Sequence, residues 1–289
     1  MARGSTWMTD YAEDVLAWMH TKELQHMAYN GNSPQLAMRG ALVEFLRIVS
    51  ERLKLSVATT HLSVYLLDRF MDAHHISDNQ LRLTALTAIL LAAKFEEKDM
   101  NVPRIPELNA FANSRYSIAI FNSMEAFMLT FFNWSIGTVT VAHFAEFYLM
   151  RGVTAGDTME GASLAEPALA RQSLWKATAH FLDISLQVHQ QSCFFMEHDQ
   201  VFLQWRCSQV AAACVACGRL CCHLLPTWPV SLQATTGYHL QSLSQLMDLL
   251  FRLYESEDKA SVCSTPDSGY GSRCSSVQGS PVSHRLGEV

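Results

Sequence analysis

Apolar positions recur along this chain with a period near 3.6, and nowhere does an apolar/polar alternation last long enough to build a sheet. The segment Trp7 to Ala28 carries Val15, Trp18 and Met19 and reads as a helix packed on the outside of something larger; Gly31-Asn32 breaks it. Ser33-Pro34 reads as an N-cap followed by proline at the first helical position. Behind it Met38, Leu42, Phe45, Leu46, Val49 and Leu53 form one amphipathic stripe. Ser56 caps the next helix, with Leu62, Tyr65, Leu66 and Phe70 on one face. Ser77 caps a third, LRLTALTAILLAAKFEE, which is apolar or small nearly all round and so belongs at the centre of a bundle. Pro103 and Pro106 frame a turn and a short helix. Ile118 to Phe132 is a fifth helix, dense in aromatics and methionine.

A second unit starts near Thr138. TVTVAHFAEFYLM is helical, with Thr140 at its cap, and the Gly-, Ala- and Thr-rich stretch at 152–168 reads as an exposed insertion. Leu174 to Val188 is helical, and SQVAAACVACGRL is a second small-residue helix, about 120 residues after LTAILLAAKF. Leu240 to Tyr254 closes the unit. The pattern predicts an all-α protein: an N-terminal helix and linker over 1–32, a five-helix unit over 33–136 and a second over 137–254. The polar, Ser-, Gly- and Pro-rich stretch 255–289 buries too little to fold and is expected to be a disordered tail.

Composition narrows the function. With 289 residues, 49% hydrophobic and 17% charged, the chain is long and apolar enough for two cores. A net charge of −6 disfavours binding along a phosphate backbone. The N-terminus lacks a signal-peptide core, and the apolar runs Leu83–Ala93 and Val210–Leu225 are too short or interrupted to cross a bilayer, so a soluble intracellular protein is expected. No glycine-rich phosphate loop, G-x-S-x-G or H-E-x-x-H occurs, so neither an enzyme nor a cofactor is expected.

Five of the eight cysteines lie between Cys207 and Cys222. Cys214, Cys217 and Cys221 share one helix face, but no turn lets them converge on a metal with His223, so they read as small buried hydrophobes. His74-His75 reads as a solvated corner. Arg39, Asp68, Lys94 and Glu125 are charges in strongly apolar settings. Left unpaired and buried, each would cost several kcal/mol. They are either internal ion pairs or groups displayed to a partner.

At these residues the sequence becomes recognisable. MRGALVEFL, HLSVYLLDRFM, LLAAKFEE followed by VP, and SMEAFMLTFFNW occur in that order and together resemble the first box of the cyclin family. VTVAHFAEFYL and SQVAAACVACGRL are similar to the second box. SPQL, AHFAEFYL and the later PTWP look most like the J-type branch of the family.

The resemblance implies a fold of two tandem five-helix boxes and a non-catalytic subunit that binds and activates a cyclin-dependent kinase in cell-cycle control. It implies that Lys94 and Glu125 bind the kinase segment leading into its αC helix, over an apolar bed that includes Phe95, Ile118 and Phe121. It implies an internal pair between Arg39 and Asp68. The family's substrate-docking patch maps to Met38, Ala41, Leu42, Phe45, Ile48 and Arg82. Ile48 replaces the family's acid and Arg82 its neutral glutamine, so docking of Arg-x-Leu motifs should be weak or altered. In the tail, Asp267-Ser268-Gly269-Tyr270-Gly271-Ser272 resembles a phosphodegron read by an F-box ubiquitin ligase through Ser268 and Ser272, and Thr265 and Ser280 precede prolines. Residence in the nucleus, alone or with the cytoplasm, follows from the family. A scaffold or a transcription-associated protein of the same fold is the alternative, although a DNA-binding relative would carry a basic face and paired cysteines near its start.

Overall fold

The computed structural model describes residues 11–27, 31, 33–159, 162–164, 166–187 and 205–262. Among them the chain forms α1 (Ala12–Glu23), then five helices of a first unit: α2 (Leu36–Leu53), α3 (Val57–Ala73), α4 (Asp78–Glu96), α5 (Ile105–Ala110) and α6 (Ile118–Phe131). A second unit follows with α7 (Val141–Leu149), α8 (Pro167–Gln187), α9 (Cys207–Cys221), α10 (Val230–Thr236) and α11 (Leu240–Val262). The fold is two tandem five-helix units with α1 beside the second. No described helix is long and apolar enough to cross a membrane.

Each unit closes round its small-residue helix. α4 is buried from Leu81 to Ala93 apart from Arg82, with α2, α3, α5 and α6 against it. α9 does the same for α7, α8 and α11, burying every residue from Val210 to Arg219. Small side chains let neighbouring backbones come close: a Cβ on Gly218 would lie 2.5 Å from Thr178 Oγ1 and 3.1 Å from the Thr178 backbone nitrogen. Ser56 caps α3 by accepting from the Thr59 N–H. Ser77 occupies the N-cap position of α4, where its hydroxyl donates to Gln80 instead.

The structure departs from the sequence reading in five places. α2 begins at Leu36, not just after Ser33; Ser33 and Pro34 form a turn in which the Ser33 hydroxyl accepts from the Gln35 N–H. The stretch 152–168 is anchored rather than simply exposed: β1 (Thr158–Met159) pairs with both β2 (Ala162–Ser163) and β3 (Leu224–Leu225) in a three-stranded sheet of order β2-β1-β3. α8 begins at Pro167, seven residues before Leu174, and α11 runs on to Val262, into the stretch read as tail. Of the two histidines at the end of α3, His75 is exposed while His74 stacks on Phe70 with ring centroids 4.5 Å apart and meets the edges of Phe127 and Phe131.

Candidate functional site

The L-A-A-K-F-E-E segment ends α4, and its four polar and aromatic residues go to different places. Lys94 and Phe95 turn outward. Glu96 accepts from His143 Nε2 at 3.1 Å, tying the end of α4 to the start of α7. Glu97 accepts from the Ser56 N–H at 2.6 Å and the Thr59 hydroxyl at 2.7 Å, so it braces the N-terminus of α3. Burial acts to raise the Glu97 carboxyl, but these hydrogen bonds outweigh it and hold the group below its ordinary range.

Packing of α4 on α6 brings Lys94 to Glu125, where its ammonium donates to Oε1 at 2.5 Å. Glu125 is largely covered, whereas half of the Lys94 side chain stays in water. Phe95 next to Lys94, Ile118 on the same face of α6 as Glu125 (i, i+7), Ile120 on α6 and Trp134 just after it are exposed apolar residues, Trp134 72% exposed. The tip of the Phe95 ring lies against Gly137, where a Cβ would come 2.4 Å from Cζ. Beside it a cleft of about 590 Å³ separates α1 from the end of the first unit, lined by Val15, Trp18, Lys22, Phe95, Trp134 and Phe147 among others.

Phe121 does not belong to this surface. It is fully buried, with Met128 and Phe132, on the face of α6 that packs into the first core, and its ring meets Tyr116 edge-on. The neighbouring Ile120, 46% exposed, is the outward-facing residue instead. Sequence reasoning also missed Trp18 and Trp134. Their signal was the size of an aromatic on an amphipathic helix and at a helix end, which does not say whether the ring faces in or out.

Arg39 and Asp68 meet in a buried two-pronged pair, Nε to Oδ1 and Nη2 to Oδ2 both at 2.8 Å. Arg39 Nη1 also donates to the Leu186 carbonyl at 3.2 Å, so the pair joins the first unit to α8 of the second. A second buried pair was not foreseen. Arg219 and Asp157 are wholly inaccessible, with contacts of 2.9 and 3.0 Å, and Arg219 also donates to the carbonyls of Gly152, Pro226 and Thr227. It fastens the hairpin insertion to α9.

On the outer face of α2, Met38 and Ala41 are exposed, Phe45 is half-buried and Ile48 is exposed. The guanidinium of Arg82 lies over the Phe45 ring, 5.6 Å from its centroid. Leu42 does not join this row; it is buried with Val43, Leu46 and Val49 in the first core. Cys214 and Cys217 are buried and Cys221 is exposed. Burial pushes the Cys214 and Cys217 thiols up, and the described residues hold no metal-binding group of three. Thr265, Ser268, Ser272 and Ser280 lie outside the described residues.

Comparison with known proteins gives these positions a context. The family model described as "Cyclin, N-terminal domain" matches residues 14–137 and that described as "Cyclin, C-terminal domain" matches residues 174–275. Cyclin-J of Homo sapiens is 35% identical over 261 residues, covering 89% of this chain and 64% of that protein. The Cyclin-J-like protein of Mus musculus is 31% identical over 263 residues, covering 89% and 65%. The chain thus spans a little under two thirds of these relatives' length. Among solved structures, a viral cyclin from herpesvirus saimiri shares the fold with a TM-score of 0.64 at 14% identity, covering 83% of this chain and 96% of that one.

Proposed function

The chain belongs to the cyclin family, and we propose that it is a non-catalytic regulatory subunit that binds and activates a cyclin-dependent kinase in cell-cycle control. The observation that carries this reading is the Lys94–Glu125 pair, half open to water at Lys94, with exposed Phe95 beside Lys94 and exposed Ile118 on the same face of α6 as Glu125. A charge pair inside an apolar field is the composition in which interface energy concentrates. Lys94 presents donors and Glu125 acceptors to the backbone of an incoming segment, while Phe95 and the isoleucines offer it an apolar bed. Activation then follows from differential binding: the subunit favours the kinase conformer in which αC sits inward and its glutamate meets the strand lysine.

The test is capture of the tagged full chain from cells, followed by a kinase assay of the eluate. Wild type is expected to bring down an active kinase. Lys94→Glu with Glu125→Ala, helical by circular dichroism, is expected to lose it. If folded wild type captures no kinase, the scaffold reading replaces this one. Within the same proposal the tail recruits an F-box ubiquitin ligase once Ser268 and Ser272 are phosphorylated, with Thr265 and Ser280 as proline-directed sites. Ser268→Ala with Ser272→Ala should lengthen the cellular half-life, and an unchanged half-life rejects that part. Nuclear residence belongs to the proposal too, and imaging of the tagged chain checks it.

A further inference from the structure

We infer that the cavity between the two units binds a small aromatic phosphate that also carries an N–H or O–H donor, a molecule of the size and kind of a nucleoside monophosphate. The inference does not depend on the kinase-binding function proposed above. It rests on a space, a buried acceptor without a donor, and a surplus of cations.

The space is a cavity of about 380 Å³ lined by both units. His61, Tyr65 and Arg69 come from α3, Ser185 from α8, and Trp205 and Arg206 from the entry to α9. Its volume lies in the range of small-molecule sites, which form preferentially where domains meet.

The acceptor is His61 Nε2. The ring lines the cavity yet is only 4% exposed. Burial pushes its pKa down to about 3, so the ring is neutral at pH 7. One ring nitrogen is engaged by the Leu182 backbone carbonyl, and Nε2 has no hydrogen-bond partner among the described residues. The proton therefore sits on Nδ1 and Nε2 offers a lone pair. A buried acceptor without a donor costs free energy, which a ligand N–H or O–H would recover.

Among the described residues that line the cavity, three arginines stand with two carboxylates. Both carboxylates are engaged. Asp68 forms the two-pronged pair with Arg39, and Glu23 accepts from the Ser208 N–H and hydroxyl. His26 adds no charge at pH 7, because burial lowers its pKa below 6.5. The balance is therefore positive, and Arg69 and Arg206 carry it. Arg69 lies over the Tyr65 ring, 5.1 Å from its centroid, and the Met27 N–H donates to the Tyr65 hydroxyl at 3.1 Å, which holds that ring in place. Arg206 is exposed at the N-cap position of α9, and no described carboxylate is within ion-pair distance of it. Guanidinium groups grip phosphate oxygens through paired N–H donors. Between the cations and the acceptor, half-buried Trp205 with Val141 and Leu186 offers apolar lining for a flat ring. An anion alone would leave His61 unanswered, and an uncharged aromatic would leave the arginines unanswered.

The experiment is isothermal titration calorimetry of the full chain with four probes: AMP, adenosine, inorganic phosphate, and purine riboside 5′-monophosphate, which lacks the exocyclic amine of AMP. AMP is expected to bind at least about tenfold more tightly than each of the other three. Arg206→Glu, at an exposed position, should keep the helical circular dichroism and weaken AMP about tenfold while leaving adenosine unchanged. His61→Leu should make AMP and its amine-free analogue bind equally. The inference is overturned if the folded chain binds none of the four, which makes the cavity a water-filled gap. It is overturned too if inorganic phosphate binds as well as AMP, which makes the arginines an anion patch only, or if Arg206→Glu leaves AMP affinity unchanged. Kinase capture enters none of these readings, so the cavity and the regulatory function stand or fall separately.

Discussion

Gly137 sets where one exposed aromatic ring lies. Its missing side chain is the space that Phe95 lies in, since a Cβ there would fall 2.4 Å from the ring. Gly137→Ala therefore tilts or lifts Phe95 without touching either core. The variant should melt close to wild type but capture kinase about tenfold less, about 1.4 kcal/mol at the interface. Unchanged capture would show that the Phe95 orientation is irrelevant. His61 is the opposite case, a polar ring with no outlet. It is buried, with a backbone hydrogen bond to Leu182 and no partner at Nε2 among the described residues, and burial pushes its pKa down to about 3. The folded state thus refuses a proton that the unfolded chain accepts near pH 6.5. Stability is unaffected above that pH and falls as pH drops from 6.5 towards 3. Linkage puts the loss at about 2 kcal/mol by pH 5. Thermal melts at pH 7.5 and pH 5 should show a smaller difference for His61→Leu than for wild type, and equal differences would refute the assignment.

At the scale of elements, periodicity carries helices well and says less about which of two adjacent residues faces in. Ile120 and Phe121 are both large and apolar, so only the direction in which α6 meets α4 decides that Phe121 is core and Ile120 surface. Leu42 in the α2 row fails for the same reason. The K-F-E-E and M-E segments were legible as motifs, yet the division of labour among Lys94, Glu96 and Glu97 depends on contacts with α3, α6 and α7 that no local pattern encodes. The Arg219–Asp157 pair joins an insertion loop to a helix 62 residues away in sequence, and an arginine inside an apolar run was its one visible trace. What the sequence did announce was close helix packing through small residues, and this can be tested. Gly218→Ala would press against the Thr178 backbone as well as its hydroxyl, so rotamer change cannot relieve it and α8 must move off α9. The expected cost is about 1–3 kcal/mol. Gly156→Ala, with nothing within 4 Å, is the control and should be near neutral in the same denaturant titration.

The two units meet through polar and apolar contacts, and α1 with the linker after it straps onto the second. Arg39 reaches Leu186 and Glu96 reaches His143, Leu186 packs against the first core and Val57 against the second, and in the linker His26 Nε2 lies 2.8 Å from the Val139 carbonyl. α1 itself packs on the second unit, with Ala12 and Met19 in that core. Its last residue, Glu23, is buried and accepts from the Ser208 N–H at 2.6 Å and the Ser208 hydroxyl at 2.9 Å. Ser208 is the second residue of α9, so the carboxylate sits where the helix dipole and the unpaired N–H groups of the central helix favour an anion. The same α1 presents Trp18 and Lys22 to the cleft that faces Phe95 and Trp134. Seating of α1 on the second unit therefore sets the position of aromatic groups on the face of the first. Glu23→Ala removes charge-assisted hydrogen bonds worth roughly 1.5–3 kcal/mol each and leaves the Ser208 N–H without its acceptor. We expect faster proteolytic cleavage just after α1, a fall of several degrees in melting temperature, and weaker kinase capture although no residue on the proposed kinase surface has changed. Cleavage at the wild-type rate would mean that the apolar contacts of Ala12 and Met19 alone hold α1 down. Faster cleavage with undiminished capture would mean that Trp18 lies outside the kinase contact and that the surface is complete on the first unit.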